Sequence, residues 1–221
     1  MRQVYVVTHA QATHHVDEVV GGWYDSQLTA SGERAAVAIG SRLRSLIPAG
    51  AEVEIYSSDL KRARQTAAPV SEILGIRPVL DDRLREKSYG EGEGRPQAWF
   101  HARFVPPPAA GDRMNHNDGI AGAETRAVFA RRLYAAMDDI LRSQCEHQVI
   151  VTHGGAVTFL LAAWIKMPIS ALDYVNFAVA SGSVTKLQED DYFHSRRVLA
   201  LGDTSHLDSL GDSCSQAFSR T

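Results

Sequence analysis

Two histidines close two short apolar runs that lie far apart in the chain. Residues 3–9 read QVYVVTH, and residues 148–153 read QVIVTH. Runs of β-branched residues of this length are typical of buried strands, so His9 and His153 are each expected where a strand ends. Ligands of open α/β sheets bind at the carboxyl edge of the strands. If both strands belong to one sheet, the two imidazoles meet there. The alternative is two unrelated strands whose terminal histidines face solvent.

A basic helix start offers a third group that could bind an anion. Lys61, Arg62 and Arg64 follow the strand-like residues 53–56 and open a helical pattern. Arg62, in the first turn, can point back over the edge of the sheet, where its planar donors suit an oxyanion. Lys61 and Arg64 fall to either side of that position and are expected to be solvated.

The elements that must position these groups alternate along the chain. Thr29 is a plausible N-cap for a helix ended by Pro48 and Gly50, and residues 57–59 supply caps for a helix closed by Gly75. The other expected elements are strands at 79–80, 183–187 and 197–201, a helix at 124–141 and a buried helix after residue 153. This alternation predicts an α/β fold: a three-layer αβα sandwich with a mostly parallel central sheet and helices on both faces.

A long irregular segment interrupts this alternation. Residues 95–122 mix Trp99, Phe100 and Phe104 with a run of prolines. Such a segment inside a compact domain is usually a functional loop, so we predict a lid insertion. A disordered insertion is the alternative, which the aromatic residues disfavour. We therefore expect a single domain over residues 1–207, with the lid insertion inside it, and a polar tail over residues 208–221.

Composition excludes several classes of protein. A hydrophobic content of 44% and a charged content of 22% are those of an ordinary globular protein, and a net charge of −3 favours neither nucleic acid nor a membrane as a partner. Two cysteines, Cys145 and Cys214, make no disulfide framework. The amino terminus lacks the pattern of a signal peptide. We expect a cytoplasmic protein whose oligomeric state is open, a homodimer included.

Several short segments together carry a more specific pattern. They are Thr8-His9-Ala10; DSQLT at 25–29 with Gly32; SSDLKRARQTA at 57–67; LREKSYG at 84–90; His153-Gly154-Gly155; and GDTSHL at 202–207. In this order they resemble the motifs of the histidine phosphatase superfamily, in its phosphoglycerate-mutase-like branch. The resemblance covers most of the chain, and the segment at 57–67 is nearly a copy of the family's Ser-Ser-x-Leu-x-Arg-Ala-x-Gln-Thr-Ala.

The resemblance implies a role for each matching residue. His9 would be the nucleophile and would pass through a phosphohistidine. Arg62 would bind the phosphoryl oxygens, His153 would donate a charged hydrogen bond to them, and the Gly154 amide would add the dipole of a helix amino terminus. Glu86 would protonate the leaving oxygen and then deprotonate the attacking water. The expected partner is a small phosphorylated metabolite, and the resemblance implies neither a metal nor another cofactor.

The first motif departs from the family pattern at two positions. Thr8 stands where the family has an arginine that contacts the phosphate, and Ala10 replaces a glycine. Loss of one preorganised donor can slow such a reaction ~100- to 1000-fold. We place Thr8 and His15 among the phosphate-contacting positions. Thr8 stands at the position of the family arginine, and His15 stands where many relatives have a phosphate-contacting asparagine. Our hypothesis is that His14 or His15, when protonated, supplies part of the missing charge. Two surface histidines are the alternative.

Three functional interpretations remain open. The first is a metal-independent phosphomonoesterase, of which a mutase that retains the phosphoryl group would be a variant. The second is a phosphate-binding pseudo-enzyme that lost turnover together with the family arginine. The third is a metal-dependent hydrolase built on His9, His14 and His15, which lacks a carboxylate at convincing spacing.

Overall fold

A six-stranded sheet organises the chain, in a computed structural model that describes residues 1–211. The strands are β1 (Gln3–Thr8), β2 (Val53–Ser57), β3 (Val79–Leu80), β4 (His147–Thr152), β5 (Val184–Glu189) and β6 (Arg196–Asp203). Their order across the sheet is β3-β2-β4-β1-β5-β6. The strands β1 to β4 are parallel, whereas β5 runs antiparallel to both β1 and β6. The predicted α/β fold with a mostly parallel sheet is confirmed.

Helices cover both faces of the sheet, as predicted. They are α1 (Thr13–Val16), α2 (Ala30–Leu46), α3 (Lys61–Leu74), α4 (Gln97–His101), α5 (Arg126–Arg142) and α6 (Gly154–Trp164). In β1, Tyr5 and Val7 join the core beneath α2 and α3, whereas Val4 and Val6 join the core beneath α5 and α6. Successive side chains of a strand point to opposite faces, so one buried strand serves both layers.

Most helix ends agree with the local sequence, and one does not. The Thr29 side chain accepts a hydrogen bond from the Gly32 amide (3.0 Å), and Gly75 ends α3 in the left-handed conformation. The prediction that residues 57–59 cap α3 is wrong, because Leu60 is the N-cap and makes no side-chain cap bond. The Asp25 carboxylate, distant in sequence, instead accepts from the Lys61 amide (2.6 Å). A tertiary contact therefore replaces the expected local cap.

The segment predicted as a lid, residues 95–122, contains one short helix, α4, and is otherwise irregular. Phe100 is buried with Val20 and Ile120 in a small apolar cluster separate from the two main cores. At its far end, Asp118 forms an ion pair with Lys87 (2.6 Å), and both side chains are largely buried. The aromatic residues are therefore ordered against the domain, which opposes the alternative of a disordered insertion.

The carboxyl end of the described chain continues past the predicted boundary at residue 207. A 3-10 helix over Ser205–Leu210 buries Leu207 in the core beneath α2. Residues 212–221, which hold Cys214 and most of the predicted polar tail, lie outside the described residues. Within residues 1–211 no helix has the length and apolar character to cross a lipid bilayer.

Candidate active site

The register of two parallel strands brings the two strand-end histidines together. Thr8 of β1 pairs with Thr152 of β4, and the His9 amide donates to the Thr152 carbonyl (2.8 Å). The imidazole centroids of His9 and His153 are 5.0 Å apart, and both side chains are buried. The carboxyl edge of the central strands thus holds both groups, as the paired motifs predicted.

The hydrogen bonds of His9 define which nitrogen is available for chemistry. Its Nδ1 lies 2.8 Å from the carbonyl oxygen of Ala10, which can only accept, so Nδ1 carries the proton. Its Nε2 faces Nε of Arg62 at 3.2 Å and must therefore be the acceptor. Burial, with Arg62 nearby, holds the pKa of His9 well below its ordinary value. The ring is a neutral imidazole with its lone pair on Nε2.

Arg62 is the buried cation of the site, with only 1% of its surface exposed. Its two terminal nitrogens donate to the carbonyls of Tyr24 (2.8 Å) and Gly22 (2.7 Å), and its Nε donates to His9. Burial lowers its pKa to about 10, which still leaves it charged at neutral pH. The guanidinium is therefore fixed beside the nucleophilic nitrogen by two carbonyls, each of which accepts from one terminal nitrogen.

One face of α3 ties the separate sequence motifs together. The Ala10 amide donates to Thr66 Oγ1 (3.1 Å), and the Leu28 amide donates to Gln65 Oε1 (2.8 Å). Thr66 also donates to the Arg62 carbonyl one turn earlier (2.8 Å). The segment around 57–67 therefore holds the loops that follow β1 as well as presenting its own arginine.

His153 occupies the N-cap position of α6 and has a different environment from His9. Its Nε2 lies 2.8 Å from Ser58 Oγ, and its Nδ1 is buried with no hydrogen-bond partner among the described residues. Burial, followed by the charge of Arg62, lowers the pKa of His153 well below its ordinary value. These surroundings favour a neutral ring, so the predicted positive charge on His153 would require the negative charge of a bound phosphoryl group.

Glu86 reaches the amino terminus of α6 beside His153. Its Oε2 accepts from the Gly155 amide (2.8 Å), and its Oε1 accepts from the Lys87 amide (2.9 Å). A Cβ at position 155 would lie 2.4 Å from Oε1, whereas one at position 154 would meet nothing within 4 Å. Gly155 is therefore the glycine that leaves room for the carboxylate. Gly154, the first residue of α6, follows His153 directly.

His14 and His15 lie at the site but do not carry the predicted charge. Burial lowers the pKa of His14 to about 2 and that of His15 to about 4, with further lowering by Arg62. The alternative of two surface histidines is wrong, because His14 is buried and His15 is partly buried, and the lowered pKa values oppose a protonated substitute for the family arginine. His15 Nδ1 accepts from the Ala12 amide (3.2 Å), so its proton is on Nε2. Its ring stacks with that of His9 at 5.7 Å between centroids.

The two departures in the first motif are accommodated without backbone strain. Thr8 is buried and its hydroxyl accepts from Ser183 Oγ (3.4 Å). Its place among the phosphate-contacting residues stays a prediction. Ala10 is fully buried, and it is absent from the set of described non-glycine residues with positive φ.

Three imidazoles of this site are close enough to be considered as metal ligands. One nitrogen from each of His9, His14 and His15 lies within 4.8 Å of the others. The hydrogen bonds fit a divalent ion poorly, because the Ala12 amide occupies His15 Nδ1 and the Arg62 guanidinium faces His9 Nε2. An ion would have to break the first bond and displace a cation from the second. The described donors around His9 suit an anion better.

Three residues that sequence reasoning did not single out also support the site. Ser58 stands in a recognised motif but had been expected only as a cap, whereas it contacts His153. Trp23 Nε1 and Arg132 both donate to the main-chain carbonyl of Glu86 (2.7 and 2.5 Å). Bonds from side chains to a distant carbonyl leave no periodicity or motif in the sequence, so no signal could have revealed Trp23 or Arg132.

Comparison with known proteins extends the geometric findings. The family model for the histidine phosphatase superfamily (branch 1) matches residues 4–200. A probable phosphoglycerate mutase GpmB from Yersinia enterocolitica is 32% identical over 215 residues, which cover 94% of this chain and 96% of the relative.

Solved structures give the same result. A mycobacterial glucosyl-3-phosphoglycerate phosphatase superposes with a TM-score of 0.73 at 26% identity, covering 92% of this chain and 99% of that one. Bacillus stearothermophilus YhfR superposes with a TM-score of 0.72 at 28% identity, covering 94% of this chain and all of that one (100%). With the family model spanning nearly the whole domain, the chain belongs to the histidine phosphatase superfamily.

Proposed function

We propose that the protein is a phosphatase that hydrolyses a small phosphomonoester through a phosphohistidine on His9. The observation that carries this proposal is the state of His9: a neutral ring, Nδ1 bound to a carbonyl, and Nε2 facing a buried arginine. A nucleophile needs an unprotonated lone pair, and an arriving phosphoryl group needs a cation beside it.

In the first step the Arg62 Nε–H shifts from His9 Nε2 to a phosphoryl oxygen, Nε2 attacks phosphorus, and the bond from phosphorus to the leaving oxygen breaks. The Glu86 carboxyl gives its proton to that oxygen, so the product departs as an alcohol. In the second step water attacks phosphorus, the nitrogen–phosphorus bond breaks, and the Glu86 carboxylate takes the proton from the water. Arg62 and the amide at the start of α6 stabilise the equatorial oxygens in both steps.

The positive charge at the site is smaller than the family motif would provide. Thr8 supplies no charge, and His14 and His15 are neutral. We propose that His15 contributes a neutral donor through its Nε2–H, and that His153 becomes charged as the phosphoryl group binds. Metal-independent turnover then depends mainly on Arg62 and on the induced charge of His153.

The test is release of phosphate from p-nitrophenyl phosphate, with and without a chelator, by the wild-type protein and by His9→Ala. We expect activity that the chelator does not change and that His9→Ala abolishes. A matched control is His194→Asn, an exposed histidine in the turn between β5 and β6, at the opposite end of the sheet. Asparagine tolerates the positive φ of that position (54°).

Each other outcome would support a different interpretation. No turnover by the wild-type protein, with vanadate still bound, would indicate the pseudo-enzyme. Loss of activity with the chelator would indicate a metal held by His9, His14 and His15. Equal loss in His9→Ala and His194→Asn would remove His9 from the mechanism.

A phosphoglycerate mutase is the second candidate, because a relative named as a probable phosphoglycerate mutase is 32% identical to this chain. A mutase returns the phosphoryl group to a bound hydroxyl in place of water. Phosphorus NMR of the protein with 3-phosphoglycerate separates the two candidates: inorganic phosphate appears with a phosphatase, and an isomeric phosphoglycerate appears with a mutase.

A further inference from the structure

Arg132 of α5 reaches the segment that carries Glu86, and every N–H of its guanidinium is used in this segment or by Glu124. Nη1 donates to the carbonyls of Arg83 (2.8 Å) and Arg85 (2.6 Å), and Nη2 donates to the carbonyl of Glu86 (2.5 Å). The remaining donors bind both oxygens of Glu124 (2.8 Å each). The side chains of Arg132 and Glu124 are 15% and 11% exposed, so the pair is shielded from solvent screening.

Backbone hydrogen bonds close a 3-10 turn over Asp82–Leu84, and side chains hold the carbonyls of residues 83 to 86. The remaining carbonyl, that of Leu84, accepts from Thr152 Oγ1 (2.7 Å), and Trp23 adds a second donor to Glu86 O (2.7 Å). Beyond Glu86, the Ser88 amide donates to Glu124 (2.8 Å). Side chains thus hold the backbone on both sides of the proposed acid, and Arg132 holds more of it than any other residue named here.

We propose that Arg132 is a positioning residue that sets where the Glu86 carboxyl stands. The inference rests on the proposed role of Glu86 and explains what holds the Glu86 carboxyl in place. With the backbone of Glu86 fixed, its carboxylate reaches the Gly155 amide at the start of α6. A displaced backbone would move the carboxyl from the leaving oxygen, while the groups that bind the phosphoryl oxygens stay in place.

Arg132→Lys tests this inference with little change in charge or size. Lysine donates from one atom and cannot bind three carbonyls and a carboxylate in one plane. The readout is kcat/KM, which covers only the steps up to departure of the alcohol. It is measured with an alkyl phosphate, which needs a proton donor, and with p-nitrophenyl phosphate, whose phenolate leaves without one. We expect a loss of about 10- to 100-fold for the alkyl phosphate and a much smaller loss for the aryl phosphate.

Three controls accompany this variant. Arg131→Lys changes the exposed neighbouring arginine on the same helix and should alter neither substrate's kcat/KM. Glu86→Gln should show the same selective loss, and the double variant should show no further selectivity, because the two residues act as a unit. Vanadate affinity should stay within about threefold of wild type in Arg132→Lys, since Arg62 and His9 are not displaced.

An equal loss for the two substrates, or a lower melting temperature without a change in selectivity, would show that Arg132 serves stability alone. If Arg132→Lys fails to fold, Glu124→Gln loosens the same guanidinium from its other side, and the same comparison decides.

A second readout does not depend on activity. In amide exchange measured by NMR, the Gly155 proton, held by Glu86, should exchange faster in Arg132→Lys than in Arg131→Lys. If the wild-type protein turns over neither substrate, the proposed function fails. Unchanged Gly155 exchange would then overturn the positioning role separately.

Discussion

The ends of β1 and β4 carry nearly the same residues but place their histidines in different chemical states. After β1 the chain enters a loop, and the carbonyl of Ala10 fixes the proton of His9 on Nδ1. After β4 the chain enters a helix, and Ser58 contacts His153 on Nε2, leaving Nδ1 without a partner among the described residues. One ring therefore has its lone pair on a defined nitrogen, Nε2, whereas the proton of the other ring can lie on either nitrogen.

This difference shows that the strand motif determines only where a histidine stands. A carbonyl of the following loop binds Nδ1 of His9, whereas a hydroxyl from the connection between β2 and α3 binds Nε2 of His153. Both rings are buried and neutral, yet only the ring of His9 has a cation, Arg62, facing its acceptor nitrogen. A nucleophile and a proton donor can thus be made from the same strand ending.

The sharpest test of this comparison replaces each histidine separately and follows formation of the phosphoenzyme. His9→Ala removes the nucleophile, so we expect no phosphoenzyme and a loss of turnover of about 10⁴-fold or more. His153→Ala removes one donor, so phosphoenzyme should still form, with turnover about 10²- to 10³-fold lower. Acid-labile phosphate on the protein, measured after rapid quenching, distinguishes the two. Phosphoenzyme in His9→Ala would reverse the assignment.

The second prediction uses the two glycines after His153. Gly155→Ala places a Cβ 2.4 Å from a Glu86 oxygen, and the flexible carboxylate must move away from its amide partner. We expect turnover of an alkyl phosphate to fall by about 10²-fold. A Cβ at position 154 would meet no atom within 4 Å, so Gly154→Ala should lower the turnover of the alkyl phosphate far less.

Both glycine substitutions favour the helix, so a difference between them cannot come from helix propensity. Melting temperatures should be equal to or above that of wild type in both variants. Similar turnover in the two variants would mean that the contact between Glu86 and the Gly155 amide has no part in the reaction.

The third prediction concerns the donor proposed to assist His9. His15 is a neutral ring with its proton on Nε2, so a neutral amide should replace it better than an apolar group. We expect His15→Asn to lose about threefold in kcat/KM and His15→Ala about tenfold. Equal losses in both variants would show that the ring of His15 acts through its stacking on His9, and no loss would remove it from the site.

The sequence predicted the parts of this site that local pattern controls. Strand endings placed His9 and His153, and a helix start after β2 placed Arg62. Parallel pairing of the strands was then enough to bring these groups together, because parallel strands end at one edge. The same reasoning gave the order of the six strands and of α2, α3, α5 and α6 along the chain and the glycine that closes α3, whereas the short α1 and α4 were not predicted.

What the sequence did not predict depends on contacts between distant residues. Asp25 caps α3 across the fold, and Arg132 binds carbonyls about fifty residues away in sequence. The lowered pKa values of His14 and His15 were missed for the same reason. Their positions along the chain suggested cations, but burial beside Arg62 lowers the pKa of each, and burial is a property of the folded chain.

The smallest expected effect is on stability, and it follows from the neutral rings on the β1 side of the site. The pKa of His14 is lowered to about 2 and that of His15 to about 4, from an ordinary value of 6.5. The unfolded chain therefore binds protons below pH 6.5 that the folded protein does not, so acid favours unfolding. The contribution of these rings to stability should be constant above that pH and should fall as pH decreases, by up to about 1.4 kcal/mol per pH unit for each buried ring. Denaturant unfolding between pH 7 and pH 4 measures this slope. His14→Gln should reduce the slope of stability against pH by about the contribution of one ring, whereas exposed His194→Asn should leave the slope unchanged. An unchanged slope in His14→Gln would mean that His14 is protonated in the folded protein.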